Sequence, residues 1–195
     1  MDGQTPLRRI PKENVRIPKT CSGKEGITTL IGIDPGLDGA IAWLKDDLAY
    51  IDVVDMPTMA GTGARRQVNA AELAKILRAN KYWETPIPGE ENRWNKFTQP
   101  VSVVYLEQVS ARPGQGVSSM FSFGDSYGQV KGVIGCLGLP LILVTPQAWK
   151  KRAGIIHRDK DAARTMAQQL YPGAALGRKK DIGRADALLI ARFGG

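Results

Sequence analysis

A short apolar segment that ends in an acid and a turn constrains the fold most. Residues 27–34 are mostly apolar and rich in β-branched side chains, and Pro35 and Gly36 follow directly. A run of this length and composition, stopped by a Pro-Gly pair, is typical of a buried β-strand. A carboxylate at the end of such a strand is costly unless a cation or a hydrogen-bond donor lies near it. Asp34 is therefore the first candidate functional residue.

The remaining hydrophobic patterns predict an α/β fold. Strands are predicted over residues 39–44, 50–54, 101–107 and 139–144, and helices over residues 69–80, 116–137, 146–152, 159–171 and 183–192. Three successive strands followed by alternating helices and strands predict a mixed five-stranded sheet with helices on both faces. The four glycines inside the helix at 116–137 indicate close approach of another backbone or a ligand along one face.

The chain of 195 residues is long enough for one domain and a short appendage. Residues 1–27 mix prolines, glycines and charges, so we expect a flexible basic tail there, and we assign the folded domain to residues 28–195. Residues 81–100 show no periodicity, which indicates a loop insertion. No segment approaches the roughly 18 apolar residues of a membrane span. We expect a soluble, intracellular protein with no membrane partner, in a bacterial or phage-infected cytoplasm or in an organelle.

The positive charge is concentrated near the C-terminus. The formal net charge is +8, and residues 145–184 hold ten Lys and Arg side chains against three acids. Such a segment is either a solvated face or a surface for a polyanion. The two cysteines lack the paired spacing of a zinc site, and the single histidine, His157, has no nucleophile motif beside it. We therefore expect His157 to be a surface residue.

Two further acids complete a pattern with Asp34. Glu107 ends the strand predicted at 101–107, and Asp186 lies at the start of the last helix. If the strands that end at Asp34 and Glu107 are neighbours, these carboxylates converge at one edge of the sheet, where hard divalent cations find oxygen ligands. Individually, Asp34 could cap its turn, Glu107 could form a salt bridge and Asp186 could favour the helix dipole. Together, beside a basic segment, they indicate a metal-dependent phosphodiester enzyme.

Three segments carry a resemblance to a known family. Residues 31–36 (IGIDPG), 105–108 (YLEQ) and 184–188 (RADAL) resemble the active-site segments of RuvC-type Holliday junction resolvases in the RNase H-like superfamily. The similarity spans residues 28–193. Residues 113–128 look closest to phage or prophage members, and residues 178–189 also resemble plant chloroplast resolvases. The resemblance implies an RNase H-like fold and a homodimeric endonuclease that resolves four-way DNA junctions by paired, Mg²⁺-dependent hydrolysis.

The resemblance also implies roles for individual residues. Asp34, Glu107 and Asp186 take the positions of ligands to two Mg²⁺ ions, for which Mn²⁺ could substitute. Gly183 stands where the family often has an Asp or a His. We take Asp181 as the fourth ligand, with Asp38 as the alternative. Lys150 and Lys160 match the segments that supply the family's catalytic or phosphate-contacting lysines.

A DNA-binding set follows from the basic segment and its aromatic neighbours. The family has an aromatic wedge soon after the strand-end Glu, but residues 109–112 here are Val, Ser, Ala and Arg. Phe121, Phe123 or Tyr127 could replace it by stacking on a base, or could be core residues. The predicted set comprises Lys150, Lys151, Arg152, Lys160, Arg178, Lys179, Lys180, Arg184, Phe121 and Phe123.

Three other functions compete with junction resolution. The first is an RNase H-like nuclease that cuts RNA–DNA hybrids or flaps with the same metal chemistry. The second is an actin-like sugar kinase, because residues 32–36 resemble its first phosphate segment, but the length and the lack of a second segment argue against it. The third is a structure-specific DNA-binding protein without catalysis, which the three acidic segments disfavour.

Overall fold

The computed structural model describes residues 29–61, 65–79, 102–110, 114, 116–158 and 161–195. The strands are β1 (Thr29–Asp34), β2 (Ala40–Lys45), β3 (Tyr50–Asp55), β4 (Thr58–Ala60), β5 (Arg66–Val68), β6 (Val103–Glu107) and β7 (Leu141–Val144). The helices are α1 (Ala70–Ala79), α2 (Val117–Cys136), α3 (Pro146–Arg152), α4 (Ala162–Leu170) and α5 (Ile182–Phe193). A 3₁₀ turn, Lys179–Asp181, leads into α5.

Five strands form the central sheet in the order β3-β2-β1-β6-β7. The strands β1, β2 and β3 pair antiparallel, whereas β6 pairs parallel with β1 and β7 pairs parallel with β6. This arrangement confirms the predicted mixed five-stranded sheet. It also makes the strands that end at Asp34 and Glu107 direct neighbours.

Helices cover both faces of the sheet, as predicted. Alternate side chains of β1 point to opposite faces, so Leu30 joins one hydrophobic core and Ile33 joins the other. The first core is closed by α3, α4 and α5, and the second by α1 and α2. Burial on both faces explains why β1 is almost continuously apolar rather than alternating.

The helix α5 lies directly on the strand β1 because Gly32 has no side chain. A Cβ atom at Gly32 would lie 2.1 Å from the carbonyl oxygen of Ala187 and 2.3 Å from the backbone nitrogen of Ala191. The small residues Ala187 and Ala191 allow the same close approach from the helix side. This contact fixes the position of α5 over the end of β1.

One feature differs from the sequence-based expectations. The short hairpin β4–β5 was not predicted; Arg65 of this hairpin donates a hydrogen bond of 2.6 Å to the Ser118 hydroxyl on α2. On the glycine-rich face of α2, a Cβ at Gly124, Gly128 or Gly132 would meet nothing within 4 Å in the described part of the chain, so the close approach of another backbone or a ligand stays a prediction. The predicted tail at 1–27 and insertion at 81–100 lie outside the described residues. Among the helices that are described, none has the length and apolar character needed to cross a membrane.

Candidate active site

Two neighbouring parallel strands carry Asp34 and Glu107 to one edge of the sheet. Ile33 pairs with Leu106, so the acids that follow them end their strands side by side. The backbone N–H of Gly36 donates to Asp34 Oδ1 at 3.1 Å, and the indole N–H of Trp149 donates to Glu107 Oε1 at 2.9 Å. Each carboxylate is therefore oriented through one oxygen, and its second oxygen is available for another ligand.

Asp186 reaches the same edge from α5. It is the fifth residue of the helix, beyond the first turn, so it does not serve as the helix-dipole acid that the sequence allowed. Its Oδ1 atom is buried and has no hydrogen-bond partner among the described residues. A buried carboxylate oxygen without a donor is unfavourable and calls for a cation or a proton.

The three acids are electrostatically coupled. The pKa of Asp34 is raised from 3.8 to about 6, because burial and the negative charge of Glu107 raise it more than the N–H of Gly36 lowers it. The pKa of Asp186 is raised from 3.8 to about 7 by burial and by the negative charges of Asp34 and Glu107. The ammonium of Lys150 lowers both pKa values. Lys150 therefore lies close to Asp34 and Asp186.

The chemistry of this set fits a hard divalent cation. All three side chains offer carboxylate oxygens, the ligands that Mg²⁺ and Mn²⁺ prefer, and the unpartnered Oδ1 of Asp186 lacks only an electropositive neighbour. In the described part of the chain, no three Asp, Glu, His or Cys side chains already form a metal-binding group. Carboxylates that share a site repel one another, and a shared cation would offset that repulsion.

Known proteins resemble this chain in sequence and in fold. No family model matches the chain. The chain is 32% identical over 141 residues to "Holliday junction resolvase MOC1, chloroplastic" from Chlamydomonas reinhardtii, a match that covers 70% of this chain and 15% of that relative. The structure aligns with Thermus thermophilus RuvC in complex with a Holliday junction substrate at a TM-score of 0.51 and 16% identity, covering 87% of this chain and 92% of that chain.

The chain has the RuvC fold. The resemblance to Holliday junction resolvases that the three sequence segments carry is confirmed by the sequence relative and by this fold. Because the chain spans only about a seventh of the length of the MOC1 relative, that protein's activity and partners are carried over below as proposals.

On this RuvC fold, Asp181 occupies a different place from the predicted one. Its side chain is only 2% exposed, and Arg178 donates to Oδ1 through Nε at 2.9 Å and Nη2 at 2.7 Å. The backbone N–H of Arg178 donates to Oδ2 at 2.7 Å. These bonds to Arg178 hold the pKa of Asp181 below its usual value. Both oxygens are committed to the turn before α5, so the structure does not bring Asp181 to the other three acids.

Asp38, the alternative fourth ligand, lies beside the cluster but points to another partner. Its Oδ1 accepts a 2.6 Å hydrogen bond from Arg66 of the hairpin, and its side chain is exposed. Its backbone packs against Gly183: a Cβ at Gly183 would lie 2.3 Å from the Asp38 carbonyl oxygen. The position at which the family often places its fourth ligand is therefore closed to any side chain here.

The predicted DNA-binding residues divide into two groups. Lys151, Lys179 and Lys180 are exposed, and Lys150 lies beside the carboxylates with its Nζ atom 5.1 Å from the centre of the Trp149 ring. The arginines are engaged within the fold: Arg152 donates to the carbonyl of Phe193 at 2.7 Å, Arg178 holds Asp181, and Arg184 pairs with Asp55. These three arginines therefore stabilise contacts of α5, or of the turn before it, with the rest of the fold. Lys160 lies outside the described residues.

The predicted aromatic residues lie on the exposed N-terminal half of α2. Phe121 is 79% exposed, so it is not a core residue, whereas Phe123 and Tyr127 are half-buried. The helix α2 is the next described helix after β6, the strand that ends at Glu107.

Sequence reasoning missed the hydrogen bond from Trp149 to Glu107. Trp149 is completely buried, and a buried indole N–H almost always finds an acceptor. That rule pointed to an acceptor for Trp149 but could not identify Glu107, which lies 42 residues away in the chain.

Proposed function

We propose that this chain is a structure-specific DNA endonuclease that resolves four-way junctions by metal-dependent phosphodiester hydrolysis. The observation that carries the proposal is the convergence of Asp34, Glu107 and Asp186 on the RuvC fold, with a buried carboxylate oxygen that lacks a partner. Two relatives support the choice of substrate: the sequence relative is a Holliday junction resolvase by name, and the structural relative is RuvC in complex with a Holliday junction substrate.

In this proposal, Asp34, Glu107 and Asp186 hold two Mg²⁺ ions, which Mn²⁺ could replace. Ions bound there would activate water and stabilise the leaving oxygen. Gly36 orients the Asp34 carboxylate and Trp149 orients Glu107, and the second oxygen of each carboxylate would bind an ion. Lys150 offsets charge that develops on the phosphate. Water adds to phosphorus, the bond from phosphorus to the 3′ oxygen breaks, and the leaving oxygen takes up a proton.

Cutting a two-fold symmetric junction requires two active sites, and we propose a homodimer that meets through α2. Six exposed residues follow one stripe of this helix, namely Val117, Phe121, Gly124, Gly128, Gly132 and Gly135. The glycines would let two helices approach closely. Gly128→Leu should therefore abolish dimers in analytical ultracentrifugation without unfolding α2, because leucine favours helix. A wild-type chain that remains monomeric at all concentrations would contradict the homodimer.

The experiment that tests the activity is a cleavage panel. Labelled four-way junctions, flaps, RNA–DNA hybrids and plain duplexes are incubated with the chain, with and without Mg²⁺. We expect paired nicks in the four-way junction only, dependent on Mg²⁺, and a loss of rate of about 100-fold or more in Asp34→Asn. Asp46→Asn is the matched control, because Asp46 is exposed and, in the described part of the chain, accepts the N–H of the next residue alone.

The same panel separates the alternatives. Preferred cutting of the hybrid or the flap would identify another RNase H-like nuclease. Tight, Mg²⁺-independent binding of the four-way junction with no nicking would identify a non-catalytic binding protein.

A further inference from the structure

A cavity of about 350 Å³ adjoins Asp186 and is lined by residues of α3, the turn after it, α4 and α5. The apolar part of its lining consists of Ile155, Ala163 and Ile182. Lys150, His157, Arg158 and Asp186 supply the polar part. The cavity therefore joins an apolar surface to three basic side chains beside the proposed reaction centre.

The turn after α3 fixes two of these basic side chains. Ile155 is buried in the core, its N–H donates to the Lys150 carbonyl at 3.0 Å, and its own carbonyl accepts from the Arg158 N–H at 3.1 Å. His157 lies between them with a φ of 61°, a left-handed conformation that His adopts more readily than most residues. The buried side chain of Ile155 therefore holds the turn in place, while the side chains of His157 and Arg158 are exposed.

His157 and Arg158 form no ion pair with any carboxylate in the described part of the chain, unlike Arg152, Arg178 and Arg184, which the fold engages. Exposed arginines without acidic partners at the edge of a cavity are suited to an anionic ligand. The apolar side chains of the lining add a surface on which a sugar ring can pack. A sugar with its phosphate satisfies both parts of the cavity.

Lys150 and the pair His157–Arg158 face different parts of that ligand. Lys150 lowers the pKa of Asp34 and Asp186, so it lies next to the carboxylates and the reacting phosphate. His157 and Arg158 follow seven and eight residues later in the chain, at the part of the cavity formed by the turn. A second phosphate beside the one near Lys150 would find these two side chains in the same cavity.

We propose that this cavity binds the nucleotide adjacent to the cleaved bond, with its sugar on Ile155 and Ile182 and its phosphate on Arg158 and His157. The inference rests on the proposed endonuclease function and adds two residues that position the substrate strand. Neither residue touches the reacting atoms.

The test pairs protein variants with neutral DNA linkages in the absence of divalent ions, so that binding is measured without cleavage. Wild type, Arg158→Gln and His157→Asn are titrated with a labelled four-way junction, and then with junctions that carry one methylphosphonate beside the cleavage site, on either flank. Asn is used at 157 because it tolerates the left-handed backbone. Arg78→Gln, an exposed arginine on α1 at the opposite face of the sheet, controls for the loss of charge.

On the native junction we expect Arg158→Gln to weaken binding about five- to tenfold and to reduce the slope of log K against log salt by about 0.9, the effect of one phosphate contact. With the methylphosphonate on the contacted flank, the same substitution should change the affinity less than about twofold, because the partner charge is already gone. His157→Asn should show the same pattern with a smaller loss.

Equal losses on native and modified junctions, or Arg158→Gln binding that matches Arg78→Gln, would overturn the inference while leaving junction cleavage by the wild type intact. A wild-type chain that neither prefers nor cuts the four-way junction would instead contradict the proposed function, and this inference would fall with it.

Discussion

The indole N–H of Trp149 donates a hydrogen bond of 2.9 Å to Oε1 of Glu107. Trp149 is fully buried in α3, and Glu107 ends a central strand, so this bond fixes a carboxylate through a rigid part of the core. The same ring lies under the ammonium of Lys150. Trp149 therefore positions both a proposed ligand and the lysine that faces it.

Replacing Trp149 by phenylalanine should lower the cleavage rate, while the aromatic packing of the core is largely kept. Trp149→Phe keeps an aromatic ring but removes the donor to Glu107. Trp43→Phe is the matched control, because Trp43 is equally buried and its indole nitrogen has no hydrogen-bond partner among the residues that the structure describes. We expect Trp149→Phe to lose about 1 kcal/mol more stability than Trp43→Phe in thermal unfolding. Cleavage assays should show about a tenfold lower kcat in Trp149→Phe alone; equal kcat values would contradict this role.

Removing the charge of Asp186 should stabilise the metal-free protein at alkaline pH. The pKa of Asp186 in the folded chain is about 7, above its ordinary 3.8, so the folded state holds the proton more tightly than the unfolded state. Its contribution to stability is present below about pH 4 and is lost as the pH rises through 7. In chelator, Asp186→Asn should therefore gain on the order of 2–4 kcal/mol at about pH 8 and nothing near pH 4.

Asp55 provides the opposite control in the same thermal unfolding series. Its hydrogen bond to Arg184 lowers its pKa, so its contribution is present above pH 3.8 and is lost in acid. Asp55→Asn should lower the melting temperature at neutral pH. A fall of similar size for Asp186→Asn would show that the buried carboxylate is satisfied within the fold.

The part of the fold that the sequence predicted well is the part that local chemistry determines. Asn69 accepts the N–H of Glu72 at 3.0 Å and caps α1, at the residue where the helix predicted over 69–80 begins. The acid at the end of β1 and the acid at the end of β6 were placed correctly because a Pro-Gly stop and an apolar run define those strand ends. Pairing these strands in parallel then brings the acids together.

The incorrect and missing predictions concern contacts between distant segments. Asp181 and Asp186 are five residues apart, and only the 3₁₀ turn before α5 decides that Asp181 binds Arg178 instead of joining the cluster. The sequence could not show that the arginines of the basic segment are engaged within the fold while its lysines are exposed. Arg184 pairs with Asp55, which is remote in sequence, and Arg152 binds a backbone carbonyl, that of Phe193, which no side-chain pattern reveals. The hairpin β4–β5 has strands of three residues, too short for a pattern of alternation.

Substitution of Asp181 distinguishes its two possible roles. Asp181→Asn weakens the bonds to Arg178, so it should lower the stability by about 1–2 kcal/mol. It should nevertheless keep the rise in melting temperature that Mg²⁺ produces in the wild type, whereas Asp186→Asn should lose that rise. Loss of the Mg²⁺ effect in Asp181→Asn, with K⁺ at equal ionic strength as the control, would make Asp181 a ligand after all.

Gly183 should not accept the acid that the family often carries there. A Cβ atom would lie 2.3 Å from the Asp38 carbonyl oxygen and 2.8 Å from the Cα of Gly39, and both are backbone atoms that cannot rotate away. We expect Gly183→Asp to lose about 2 kcal/mol or more of stability without any gain in Mg²⁺ affinity. Gly177→Ala, where a Cβ meets nothing within 4 Å, should stay within about 0.5 kcal/mol of the wild type. A stable Gly183→Asp chain that binds Mg²⁺ more tightly would contradict this packing.

Calorimetric titration of Mn²⁺ tests most directly whether three remote carboxylates form one metal site. The wild type is compared with Asp34→Asn, Glu107→Gln, Asp186→Asn and the control Asp46→Asn. We predict that each of the first three variants weakens Mn²⁺ binding by about tenfold or more and that the control binds as the wild type does. Wild-type affinity in any two of the three variants would contradict a shared site.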